Sequence, residues 1–127
     1  MLQSTEPKTK TATKVLVVED EGEIGLLLNI VLSERNIDLD YVNTIETAKE
    51  YLKNTRPSVI LLDNRLPDGY GVDFIPYIKA NYPESHIMMV SGYTSVHDIA
   101  LENGADLFIE KPFTAARIKE AFDTVCS

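Results

Sequence analysis

Val59-Ile60-Leu61-Leu62-Asp63-Asn64-Arg65-Leu66-Pro67-Asp68-Gly69 is an apolar run that ends abruptly in a carboxylate and passes into a Pro-Asp-Gly turn. Such a run, bounded by turn residues, predicts a buried strand that carries Asp63 to its carboxyl end and then reverses. Asp63 is expected to be displayed there, not buried. What the chain does depends on which residues its other segments bring beside Asp63.

The same grammar recurs on both sides. Val15-Leu16-Val17-Val18 ends in Glu19-Asp20, Ile87-Met88-Met89-Val90 in Ser91-Gly92, and Leu107-Phe108-Ile109 in Glu110-Lys111-Pro112. Between them lie helical stripes. Ile24, Leu27, Leu28, Val31 and Leu32 mark a first helix from about Glu21 to Arg35, and Ile45, Ala48 and Leu52 a second, capped by Thr44. Ile75, Ile78 and Tyr82 mark a third, where Pro76 is tolerable if the helix begins near Asp73 and would kink one that begins earlier. Ser95 is the expected N-cap of a short fourth helix with Gly104 just past its end, and Thr114 caps a fifth carrying Ala115, Ile118, Phe122 and Val125.

Only Asp38-Leu39-Asp40-Tyr41-Val42 alternates polar with apolar, which places that strand at an edge. The other four strands are continuous apolar runs, as expected when both faces of a parallel sheet are covered by helices through right-handed crossovers. The predicted fold is a doubly wound α/β domain over residues 14–127. Residues 1–13, rich in Ser, Thr, Lys and Pro, read as a flexible tail.

With 20 acidic and 12 basic residues, the net charge of −8 argues against the broad basic surface needed for direct nucleic-acid binding. The one cysteine, Cys126, cannot form an internal disulfide. No apolar stretch reaches membrane-spanning length, and the first residues lack a signal-peptide core, so the cytoplasm is the expected compartment.

In an open parallel sheet the functional crevice lies at the carboxyl ends of the strands. Those ends supply Glu19, Asp20, Asp63, Ser91 and Lys111. Carboxylates gathered there repel one another unless a cation offsets them, and oxygen-only donors suit Mg²⁺. Lys111 and the Ser91 hydroxyl are groups that bind phosphoryl oxygens. An aspartate in such company is equipped to attack an activated phosphoryl group. Taken singly, each residue has a plainer reading: Asp63 a turn aspartate, Glu19-Asp20 acids at a helix start, Ser91 a strand-end hydroxyl, Lys111 a surface cation, and Phe108 core. Asp38, Asp40 and Asp68 read as solvated. His86 and His97 are assigned no chemistry, and Met88 and Met89 read as core.

Taken together, the acidic pair Glu19-Asp20, Asp63 followed by Leu66-Pro67 and Gly71, Ser91-Gly92, and Lys111-Pro112-Phe113 resemble the receiver domain of two-component response regulators over nearly all of residues 14–127. The resemblance implies strand order 2-1-3-4-5 with five flanking helices. It implies Asp63 as phosphoacceptor, Asp20 as a direct Mg²⁺ ligand, Glu19 as a ligand through water, and the backbone carbonyl of Arg65 as a third protein ligand. Ser91 and Lys111 would hold phosphoryl oxygens, and Ser91 and Phe108 would form the switch.

The implied donor is a sensor histidine kinase or phosphotransfer protein. The implied output is the face of residues 95–103, 107–109 and 114–126, acting on an output domain or partner, and a homodimer on phosphorylation is allowed. Such a domain is a signalling phosphoacceptor, not an enzyme with turnover on a separate substrate. Ser91 lacks the methyl of the commoner Thr, Phe108 lacks the Tyr hydroxyl, and Arg65 is long enough to overhang the site and alter dephosphorylation. Two other families use related designs. A haloacid-dehalogenase-like hydrolase expects a second Asp where Arg65 stands, and a flavodoxin-like FMN binder expects a Ser/Thr/Gly-rich loop where Glu19-Asp20-Glu21 would repel phosphate. The chain stops just after the fifth helix, which fits a stand-alone receiver and a piece of a longer regulator equally.

Overall fold

The computed structural model describes residues 13–31 and 35–126. Residues 1–12 of the expected tail, Leu32 in the first helical stripe, and the side chains of Leu27 and Val31 lie outside what is described. The described elements are β1 (Thr13–Val18), α1 (Glu23–Val31), β2 (Ile37–Val42), α2 (Ile45–Asn54), β3 (Val59–Asp63), α3 (Gly71–Asn81), β4 (His86–Ser91), α4 (His97–Asn103), β5 (Leu107–Glu110) and α5 (Ala115–Cys126). Thr13 belongs to β1, where its N–H donates to the Asn36 carbonyl at 2.9 Å, so the folded part starts one residue earlier than the composition suggested.

The five strands form one parallel sheet in the order β2-β1-β3-β4-β5. Side chains alternate across a strand, so each apolar run supplies both layers of core. Val15, Val17, Val59, Leu61, Met88, Val90 and Ile109 pack with Ile24 and Leu28 of α1 and Ile118 and Phe122 of α5. Leu16, Val18, Ile60, Leu62, Ile87 and Met89 pack on the other side with α2, α3 and α4. The alternating strand β2 lies at the edge, with Asp38 and Asp40 beside Lys14 at 2.6 and 3.6 Å. Asp40 also accepts from the Tyr51 hydroxyl at 2.7 Å, so these two acids are paired and not merely solvated.

Thr44 caps α2, its Oγ1 accepting from Thr47 N at 3.0 Å, and Thr114 does the same for α5 through Arg117 N at 3.1 Å. Ser95 does not cap α4. It lies inside a 3₁₀ turn, Thr94–Val96, and α4 starts two residues later with no side-chain cap. Helix α3 begins at Gly71, earlier than Pro76 was expected to tolerate, and runs on through it. Pro76 has no N–H to give the Val72 carbonyl one turn before it. Asn103 of α4 donates to that carbonyl at 2.9 Å. Asn103→Ala is expected to cost about 1 kcal/mol by leaving the Val72 carbonyl short of a partner, read as a lowered urea midpoint with unchanged slope; an unchanged midpoint would show that the bond contributes nothing.

Candidate functional site

The site forms where β1, β3, β4 and β5 end. The register that pairs Asp63 with Val90, and Ser91 with Glu110, brings these strand ends level. Lys111 is tied in by its N–H, which donates to the Ser91 carbonyl at 2.9 Å. Its ammonium lies 3.3 Å from both Asp63 carboxylate oxygens. Asp63 was expected to be displayed and is in fact 6% exposed. It still lines a cleft of about 600 Å³.

Three acids line that cleft, Asp20, Glu21 and Asp63, with two cations, Arg65 and Lys111, and the Ser91 and Tyr93 residues. Glu19 does not itself line it. Its carboxylate oxygens accept from Ile24 N at 3.4 Å and Gly25 N at 3.3 Å, in the first turn of α1, where unpaired N–H groups favour an anion. Burial raises the Glu19 carboxyl above the usual carboxylate range; these two N–H groups pull it back, and the charge on Asp63 pushes it up again. The plainer reading of Glu19, an acid at a helix start, therefore describes its direct contacts.

Ser91 is buried, and its Oγ accepts from Tyr93 N at 3.0 Å, which leaves the hydroxyl proton free to be donated elsewhere. The Arg65 side chain lines the cleft and engages Tyr93. Its Nη1 donates to the Tyr93 hydroxyl at 2.6 Å, and its guanidinium carbon stands 5.3 Å from the centre of the Tyr93 ring. Glu21 and Tyr93 are the lining residues that sequence reading missed. Glu21 directly follows the acidic pair and was assigned to a helix that in fact starts at Glu23, whereas nothing local in Gly92-Tyr93-Thr94 says where the ring will lie.

Phe108 does not line that cleft; it is half-buried in a separate groove that it lines with Thr94, His97, Asp98, Glu110 and Arg117. His97 meets it edge-on, with ring centres 5.1 Å apart. Otherwise the two histidines lie as expected, exposed at the start of a strand and of a helix.

The donor chemistry fits a hard cation. Every side chain near Asp63 that could ligate offers oxygen, and the lining charges sum to one negative. Among the described residues no three carboxylate, imidazole or thiolate side chains converge closely enough to cage an ion.

This chain belongs to the response regulator receiver domain family, whose profile matches residues 15–123. Members of that family are the phosphoacceptor signalling modules of two-component systems. The chain is 34% identical over 113 residues to the response regulator protein PilR of Pseudomonas aeruginosa, covering 87% of this chain and 25% of PilR. It superposes on the signal receiver domain of a Luxo repressor protein from Vibrio parahaemolyticus with a TM-score of 0.83 at 26% identity, over 91% of this chain and 90% of that one. On the beryllofluoride-activated NtrC4 receiver domain the TM-score is 0.78 at 37% identity, over 89% and 98% of the two chains. The sequence thus spans about a quarter of the length of PilR. Among the described residues no helix is long and apolar enough to cross a membrane.

Proposed function

We propose that Asp63 takes a phosphoryl group from a phosphohistidine, in the cytoplasm, with Mg²⁺ held by the carboxylates of Asp20 and Asp63 and the backbone carbonyl of Arg65, and with Glu19 acting through water. The observation that carries this reading is the Lys111 ammonium set symmetrically, 3.3 Å from each Asp63 oxygen, at the mouth of an acidic cleft. Bound Mg²⁺ would supply positive charge that lets two anions meet and eases charge on the transferring group.

One Asp63 oxygen attacks phosphorus in line. The phosphorus–nitrogen bond breaks as the oxygen–phosphorus bond forms, and the imidazole leaves with its electron pair. Lys111 moves its hydrogen bonds from the carboxylate to a phosphoryl oxygen, and Ser91 donates its free proton to another. Ser91 shifts toward the phosphoryl group, Phe108 follows from its groove, and the face made by α4, β5 and α5 is remodelled. The phosphoryl group thereby favours one of two states.

That face then acts on an output domain or partner, or on a second copy of the chain; the NtrC4 relative is described as a receiver domain dimer. We place the start of the receiver domain at Thr13, the first residue of β1. The test is to expose the chain to acetyl phosphate with Mg²⁺ and map the hydroxylamine-labile product. The reading requires the label in the peptide containing Asp63, and a label elsewhere contradicts it.

Arg65 and Tyr93 narrow the approach to Asp63, so they should slow attack by water on the acyl phosphate. Arg65→Ala is expected to shorten its half-life by a factor of about three to ten, at most about 1.4 kcal/mol of barrier. Decay of the phosphorylated mass after removal of the donor measures this. A half-life equal to the parent's would mean the pair does not guard the site.

A further inference from the structure

The loop between β3 and α3 carries Arg65, and its two ends are held differently. At its start Asn64 is buried, with its N–H on the Val90 carbonyl at 3.2 Å, its carbonyl accepting from Gly71 N at 2.7 Å, and its Oδ1 accepting from Val72 N at 3.0 Å. Arg65 and Leu66 then pair antiparallel with Tyr70 and Gly69, a ladder of two residues on each side. So short a ladder does not hold its own position.

The tip of this loop is fixed from outside. Asp68, expected to be solvated, accepts from Ile45 N at 2.9 Å with one carboxylate oxygen and from Glu46 N at 3.0 Å with the other. These are first-turn N–H groups of α2 that have no partner within their helix. The α2 cap of its own sequence, Thr44, serves a different N–H, that of Thr47. The Ile45 side chain also lies over Gly69, where an added Cβ would come within 2.9 Å of its Cδ1. Helix α2 is itself seated on the sheet by buried Ala48 and Leu52. The N–H of Ile45, more than that of Glu46, holds the Asp68 carboxyl below its usual range, so the clamp is ionic at neutral pH.

We propose that Asp68 is a positioning residue for the cation site: by clamping the loop tip to the start of α2 it fixes the Arg65 backbone carbonyl where that carbonyl ligates Mg²⁺. The inference rests on the reading of Asp20, Asp63 and the Arg65 carbonyl as the ligand set. A residue that served only as a helix cap would act on stability alone, and Thr44 provides that comparison within the same helix.

The experiment is titration of the unphosphorylated chain with Mg²⁺, followed by backbone amide shifts around Asp63, alongside thermal unfolding, for the parent, Asp68→Ala, Asp68→Asn and Thr44→Ala. Asp68→Ala is expected to weaken Mg²⁺ binding about tenfold, the lower end of what losing an outer partner of a metal ligand costs. Asp68→Asn keeps one acceptor and should fall between. Thr44→Ala should lower the unfolding temperature and leave Mg²⁺ affinity at the parent's value.

Parent-like affinity in Asp68→Ala, or an equal loss in Thr44→Ala, overturns the proposal while leaving the ligand set standing. If Asp68→Ala does not fold, Asp68→Asn decides: weaker binding supports the clamp, and unchanged binding overturns it. A parent chain whose amides near Asp63 ignore Mg²⁺ would overturn the ligand set and the clamp together.

Discussion

Lys111→Met is expected to slow phosphorylation of Asp63 by acetyl phosphate about a hundredfold, at saturating Mg²⁺, in a chain that remains folded. Methionine keeps much of the apolar stem of lysine but removes the ammonium that, among the described residues, touches the Asp63 carboxylate. A fixed donor aimed at developing charge is worth a factor of about 10² to 10³. The side chains concerned are largely shielded from water, Lys111 at 26% and Asp63 at 8% exposure, so solvent does not readily replace the lost contact. Rates of appearance of the phosphorylated mass, with urea unfolding as the control for folding, measure the effect. A rate within about threefold of the parent's would remove Lys111 from the chemistry.

Gly71→Ala is expected to be the most destabilising single change near the site. A Cβ on Gly71 would lie 2.3 Å from the main-chain oxygen of Asp63 and 3.0 Å from Leu62 Cγ. The first of these is backbone of a central strand and cannot swing aside, so either β3 or the start of α3 must shift. Overpacking of this kind costs up to about 3 kcal/mol, which in a domain of this size is roughly 10–20 °C in Tm. Because the displaced oxygen belongs to Asp63 itself, phosphorylation should slow as well, even below the new Tm. A parent-like melting curve would mean the α3 start yields more easily than its bond from Gly71 N to the Asn64 carbonyl suggests.

The order of elements, the edge strand and the two-faced core were legible because each rests on periodicity. The runs at Val15, Val59, Ile87 and Leu107 are apolar at every position, and the structure divides their residues alternately between the two core layers. Convergence of Asp20, Asp63, Ser91 and Lys111 on one cleft was legible for a related reason, since strand ends in a parallel sheet lie together.

What escaped sequence reading depends on contacts between distant segments. Asp68 has the local look of a turn aspartate, and its partners are Ile45 and Glu46, more than twenty residues away. Pro76 was weighed against its own helix alone, whereas the carbonyl it leaves unpaired is served by Asn103 of the next helix. Ser95 has the right chemistry for an N-cap, but the chain first makes a 3₁₀ turn that includes it. Between Glu19 and Glu21, which acid faces the cleft is decided by where α1 begins, and element boundaries are the part of a fold that pattern fixes least.

The measurement that bears most directly on Asp63 as phosphoacceptor is the intact mass of the chain after incubation with acetyl phosphate, with and without Mg²⁺, beside Asp63→Asn. One added phosphoryl group is expected in the parent with Mg²⁺, and none in the parent without Mg²⁺ or in Asp63→Asn with it. An adduct of the same mass and yield in Asp63→Asn, or one indifferent to Mg²⁺, would contradict the assignment of both the acceptor and its cation.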